Sequence, residues 1–233
     1  MEAMIELQEE WKDARPNYDP FVEDGILDEA EWYNTSPKIM FLMKESHKEA
    51  DWYLISDRPI DTRWNGKRRG NILKIWQNVL RWKYAIYEAA YGRLSPNFPP
   101  LEIIPDVSER DSMLYDIAYI NVCKRLGETT SYYKIIEDFA MRDQDFLARQ
   151  IDLINPDVIL CAGTFNPYKL IYDYGEDSPE YLTDRAYSHR GRLVLDFSHP
   201  APPNGNKEVQ LYSELVDILL DRDVSYLLST KVY

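Results

Sequence analysis

Four short apolar runs, separated by longer stretches with helical periodicity, constrain this chain more than any other feature. They are Lys38-Ile-Met-Phe-Leu-Met43, Tyr115-Asp-Ile-Ala-Tyr-Ile-Asn121, Asp157-Val-Ile-Leu-Cys-Ala-Gly163 and Arg192-Leu-Val-Leu-Asp-Phe197. Each is too short for a buried helix, and its apolar residues are consecutive rather than alternating. That pattern marks strands covered on both faces. Between them, residues 71–87 place apolar side chains at 72, 75, 76, 79 and 80, the spacing of one helix face. Residues 132–154, 167–174 and 207–220 also read as helical, the first ending at Asn155-Pro156. Alternation of this kind predicts an α/β fold: a three-layer α/β/α sandwich around a central four-stranded parallel sheet. Residues 38–233 form one domain with a proline-rich insertion at 93–114. Residues 1–37 are an acidic extension packed on it, a helix followed by a lead-in broken by Pro16 and Pro20.

Charge narrows the partners. The net charge is −13, which argues against a broad nucleic-acid surface. The acidity is uneven, however. Residues 1–37 hold eleven Asp/Glu against two Lys/Arg, whereas residues 38–70 hold eight Lys/Arg against five Asp/Glu. The first strand and the segment after it are therefore locally basic. The two cysteines, Cys123 and Cys161, fall in apolar runs and are expected to be reduced thiols of a cytoplasmic protein. Two cysteines are too few for a four-cysteine iron–sulfur or zinc site, so neither metal nor cofactor is expected. No apolar stretch approaches membrane-spanning length. Composition leaves the oligomeric state open.

In a parallel sheet the strand ends share one edge, and ligands bind there. The residues after the four runs are Lys44-Glu45-Ser46-His47, Asn121, Gly163-Thr164 and Ser198-His199. A carboxylate, a carboxamide, a tight turn and an imidazole are thus expected to converge. The chain has three histidines, and His199, between Ser198 and Pro200, has the most site-like position. An imidazole there donates to developing negative charge or moves a proton near neutral pH. The alternatives are equally concrete. Glu45 could be a surface carboxylate paired with Lys44 or Lys48, Asn121 a turn cap, Trp64 a core residue, and Lys67–Arg69 a solvated loop.

In chain order these segments resemble the uracil-DNA glycosylase superfamily, by pattern rather than identity, over roughly residues 38–220. The first family motif, Gly-Gln-Asp-Pro-Tyr-His or Gly-Glu-Ala-Pro-Gly, corresponds to Met43-Lys44-Glu45-Ser46-His47. An aromatic–x–Gly segment corresponds to Trp64-Asn65-Gly66, ahead of Lys67-Arg68-Arg69-Gly70. Ala118-Tyr-Ile-Asn-Val-Cys-Lys-Arg125 is similar to the family strand ending in Asn. Ile154-Asn-Pro-Asp-Val-Ile-Leu-Cys-Ala-Gly163 resembles the Pro-x-Val-Ile strand, and Ser198-His199-Pro200-Ala201-Pro202 the His-Pro loop. Met43 stands where the family has Gly, and Glu45 supplies a longer carboxylate.

The resemblance implies hydrolysis of the N-glycosidic bond of a damaged or deaminated base in DNA, as in base-excision repair. His199 and Glu45 would be catalytic, His199 at the departing base and Glu45 at water or the sugar cation. Asn121 would read the base edge and Trp64 would stack on it, with Ser198 and His47 completing the substrate site. Lys67, Arg68 and Arg69 would hold phosphates. The altered first motif and the acidity keep a second reading open, a protein of this fold that binds nucleic acid or a nucleotide without cleaving it. A small-molecule hydrolase or an interaction module on the same scaffold is a third.

Overall fold

The structure, a computed structural model, describes residues 2–47, 70–97, 114–127, 132–172, 178–201 and 208–232. Its strands are β1 (Gly25–Ile26), β2 (Ile39–His47), β3 (Ile117–Gly127), β4 (Val158–Ala162), β5 (Glu180–Thr183), β6 (Ala186–His189) and β7 (Arg192–Phe197). Its helices are α1 (Glu2–Ala14), α2 (Glu29–Asn34), α3 (Gly70–Ala90), α4 (Tyr133–Arg142), α5 (Gln144–Ile154), α6 (Phe165–Tyr172), α7 (Glu208–Leu219) and α8 (Arg222–Ser229). All seven strands form one mixed sheet in the order β1-β3-β2-β4-β7-β6-β5.

The four apolar runs are its middle. β3, β2, β4 and β7 lie side by side and parallel. The expected sheet of four parallel strands is corrected by three antiparallel additions at its margins. β1 pairs outside β3, and β6 and β5 extend the sheet beyond β7. The reversal between β6 and β7 has a local cause. Arg190 and Gly191 both take positive φ, 52° and 72°. A two-residue turn with that geometry matches the twist of a hairpin.

Strand alternation divides the core. Ile39, Phe41 and Met43 face α3, α7 and α8, among Trp76, Leu80, Leu215 and Leu228. Met40 and Leu42 face the opposite way, among Trp11, Phe139, Ile151 and Tyr168 of α1, α4, α5 and α6. Met40, Phe41 and Leu42 are completely buried, so each contributes about 1.5–3 kcal/mol by leaving water.

Two expected boundaries move. The helix read over 132–154 is broken at Asp143 into α4 and α5. Asp143 is fully buried, and its carboxylate accepts from Arg15 Nε and Tyr18 Oη, each at 2.7 Å. A partner 125 residues away in sequence thus fixes the break. The second correction bears on the site. The first apolar run stops at Met43, but β2 continues to His47, because the ladder to β3 does. Glu45 lies opposite Cys123 and His47 opposite Gly127, with a bulge between Glu45 and Ser46. Lys44 to His47 are therefore strand rather than loop, and Asn121 is a mid-strand residue opposite Met43 rather than a strand end.

The 1–37 segment joins both sheet and core. Trp11 stacks on Phe146 at 5.2 Å, and Gly25 and Ile26 pair with Tyr119 and Ala118.

Candidate strand-edge site

Register shows which residues share a level. Met43 is opposite Asn121, Leu42 opposite Cys161, and Ala162 opposite Phe197. β4 and β7 end at Ala162 and Phe197, whereas β2 and β3 run on together to His47 and Gly127. Because the central strands are parallel, Glu45 on β2 and His199 just after β7 both lie toward the C-terminal edge of the sheet. Asn121 lies about two residues, or roughly 7 Å, deeper. His47 is the last residue of β2. Trp64, Lys67, Arg68 and Arg69 lie outside the described residues.

His199 is held in one protonation pattern. The Ala201 N–H donates to its Nδ1 at 3.1 Å, a bond that requires Nδ1 to be unprotonated. The neutral ring therefore carries its hydrogen on Nε2, as a donor. Burial, reinforced by the Lys44 ammonium, pushes the imidazole down to about 4. At neutral pH His199 is an uncharged hydrogen-bond donor. The loop carrying it is clamped from α3. Asn78, buried on that helix, donates through Nδ2 to the Pro200 carbonyl at 2.7 Å. Arg81 in turn donates to Asn78 Oδ1 at 3.2 Å and pairs with Glu208 at 3.5 Å. This clamp escaped sequence reading, since Asn78 looks like a polar position in an amphipathic helix.

Glu45 and Lys44 leave β2 on opposite faces, as consecutive strand residues do. The Glu45 side chain lies across Gly127 so closely that a methyl group on that glycine would overlap it. Lys44 turns the other way. Its Nζ sits 4.2 Å from the centre of the Tyr133 ring, at the start of α4. Thr164, fully buried, donates its hydroxyl to the Leu42 carbonyl at 2.6 Å and so ties the turn after β4 to β2. Gly163 itself has φ of +71° and donates its N–H to the Phe197 carbonyl at 2.7 Å.

Asn121 is the base of a buried polar network. Its backbone N–H and its Nδ2 both donate to Asp24 Oδ2, at 2.8 and 3.1 Å. The other Asp24 oxygen meets the Lys124 ammonium and, at 3.1 Å, Gln150 Nε2. Gln8 and Gln150 both donate to the Asp24 carbonyl at 3.0 Å. Lys124 also lies 5.3 Å over the Trp11 ring. Burial pulls the Lys124 ammonium below its usual range, and Asp24 opposes that shift. The carboxamide orientation is thereby fixed with Nδ2 engaged, and among the described residues the buried Asn121 Oδ1 has no hydrogen-bond partner. Asp24 and Lys124 were missed because 100 residues separate them.

Other chemistry-bearing groups are spoken for. His189 is buried beneath α6, with Nδ1 2.6 Å from the Tyr168 hydroxyl. Burial pushes the Cys123 thiol up to about 12 and raises Cys161 as well, so both are poor nucleophiles. A cavity of about 460 Å³ lies at the other end of β3, lined by Tyr84, Tyr87, Tyr115 and the Lys83–Asp116 ion pair, far from the strand-edge chemistry. Among the described residues, no group of three or more His, Cys, Asp or Glu side chains is placed to hold a metal ion. No described helix is long and apolar enough to cross a membrane. Comparison with known proteins gives no matching family model and no matching curated relative.

Proposed function

We propose that this chain is a uracil-DNA glycosylase-like protein that hydrolyses the N-glycosidic bond of a damaged or deaminated base in DNA. The observation that carries the reading is His199, a neutral imidazole at the rim of parallel strands with its hydrogen on Nε2. Cleavage of this bond leaves negative charge on the departing base. A neutral donor whose hydrogen bond strengthens as that charge grows lowers the barrier, typically by about 3–4 kcal/mol. The central strand order β3-β2-β4-β7, with helices on both faces, supports a three-layer glycosylase-like core. Asn121 adds a fixed carboxamide, and Glu45, on the same rim as His199, adds a carboxylate for water or the sugar cation.

A panel of oligonucleotides containing uracil, hypoxanthine or a mismatch, incubated with the protein and then treated with alkali, tests the reading. Strand breaks are expected with at least one lesion, and His199→Gln should reduce them by about 10²–10³-fold. Absence of breaks across the panel overturns it. One observation favours the second reading. Met43 is buried in the core at the position where the family has Gly, so backbone cannot approach a ligand there as it does beside a glycine. A protein of this fold that binds nucleic acid or a nucleotide without cleaving it would give no breaks, and salt-dependent binding of the same oligonucleotides or of a nucleotide in a separate titration.

A further inference from the structure

We propose that the cavity at the N-terminal edge of the sheet is a binding site for an organic cation, an ammonium or a guanidinium group. Its volume of about 460 Å³ falls in the range of small-molecule sites. Three elements meet around it. Lys83, Tyr84 and Tyr87 come from α3, Tyr115 and Asp116 from the turn into β3, and Asp28 and Glu31 from the start of α2. Hydrogen bonds join these elements. The Asp28 N–H donates to the Tyr115 carbonyl at 3.1 Å, and Asp28 Oδ1 accepts from the Glu31 N–H at 3.1 Å, capping α2. Lys83, only 6% exposed, pairs with Asp116 at 2.5 Å and so ties α3 to β3. The other Asp116 oxygen accepts from the Thr35 hydroxyl at 3.1 Å, at the end of α2.

The groups on the walls decide the class of ligand. Lys83 is engaged by Asp116, whereas Asp28 and Glu31 are exposed to solvent where a ligand enters. Their field reaches the floor. Burial pulls the Lys83 ammonium below its usual range, and both Asp116 and Glu31 oppose that shift. Among the described lining residues, three carboxylates thus share the space with one ammonium, a field that draws positive charge. The tyrosines point to the same class. Tyr91 gives its hydroxyl hydrogen to the Ser36 carbonyl at 3.2 Å, so toward Tyr87 it can only accept. Tyr87 spends its own hydrogen there, and its oxygen is left as an acceptor. An ammonium or guanidinium brings donors and no acceptor, which matches two carboxylates and a phenol oxygen. Tyrosine rings add an attraction for the same charge. The cavity lies at the opposite edge of the sheet from His199, so binding here is independent of base excision.

The test is an NMR titration of the full chain, labelled on its tyrosine rings, with butylammonium, spermidine and N-acetylarginine amide in turn, at constant ionic strength. The Tyr84, Tyr87 and Tyr115 rings are assigned by single Tyr→Phe variants. Saturable shifts of these rings are expected with at least one probe. Tightest binding of butylammonium or spermidine indicates a free amine as the natural ligand, and tightest binding of the arginine derivative indicates an arginine side chain of a partner polypeptide. Glu31→Gln should weaken binding by about fivefold, the worth of one exposed ion pair. Asp28→Asn removes a charge but keeps an oxygen to cap α2, so it should weaken binding by about as much while thermal unfolding stays near that of wild type. Tyr87→Phe should weaken binding by about threefold through loss of one acceptor. Absence of saturable shifts overturns the proposal. So does equal affinity in wild type, Glu31→Gln and Asp28→Asn, or the same saturable shifts with acetate.

Discussion

The cations Lys124 and Lys44 sit on neighbouring strands and have opposite surroundings. Lys124 is sealed in the interior, matched by Asp24 and covered by Trp11. Lys44 sits at the rim with an aromatic ring for company and no described carboxylate. The closed pair organises the molecule, because it holds β3, α1, α5 and the N-terminal segment to one carboxylate. Among the described residues the other cation meets a ring rather than a carboxylate. A lysine becomes a structural element where a distant segment brings a carboxylate to it.

That contrast breaks first at Lys124. Lys124→Met strands the buried Asp24 carboxylate and should destabilise the protein by about 3–5 kcal/mol in urea unfolding. Adding Asp24→Asn should restore part of the loss. A drop below about 1 kcal/mol would show that the pair is not sealed as described.

The pH dependence of the rim comes next. The His199 imidazole lies near 4 in the folded protein and near 6.5 unfolded, so between these values the unfolded chain binds the extra proton. Its contribution to stability is complete above pH 6.5 and is lost as pH falls toward 4, amounting to roughly 3 kcal/mol across that window. The stability of wild type relative to His199→Gln should fall by roughly 3 kcal/mol as pH drops from 6.5 to 4. Parallel curves would place His199 in water.

The smallest effect belongs to the clamp. Asn78→Ala leaves the Pro200 carbonyl without its buried donor and should cost about 1–3 kcal/mol, read by thermal unfolding. It should also broaden or move the His199 ring resonances, whereas the Lys124 variant should move them little.

Sequence reading recovered the four parallel strands because burial on both faces writes itself into consecutive apolar residues. It misplaced their ends for the same reason. Backbone pairing carries β2 past Met43 through Lys44 to His47, where side chains are polar and the apolar signal has stopped. Asn121 shifted from rim to mid-strand by the same effect. β5 and β6 were missed because Glu180–Thr183 and Ala186–His189 are four residues each, with partly polar faces. The break at Asp143 and the Asp24–Lys124 pair depend on partners more than a hundred residues distant, which no local pattern reports. The place of His199 just beyond β7 was legible because that strand ends where its apolar run does. Its tautomer, set by Ala201, was not.

β1 is only two residues long, yet it changes what the sheet shows to its surroundings. Without it, β3 would be an outer strand of eleven residues with an open row of donors and acceptors, the surface on which chains stick to one another. Gly25 and Ile26 occupy the start of that row, the Asp24 carboxylate takes the Asn121 N–H, and Phe21 bridges to Arg125. The acidic segment thereby works as a selvedge, finishing the fabric on that side so that it does not stitch itself to the next molecule.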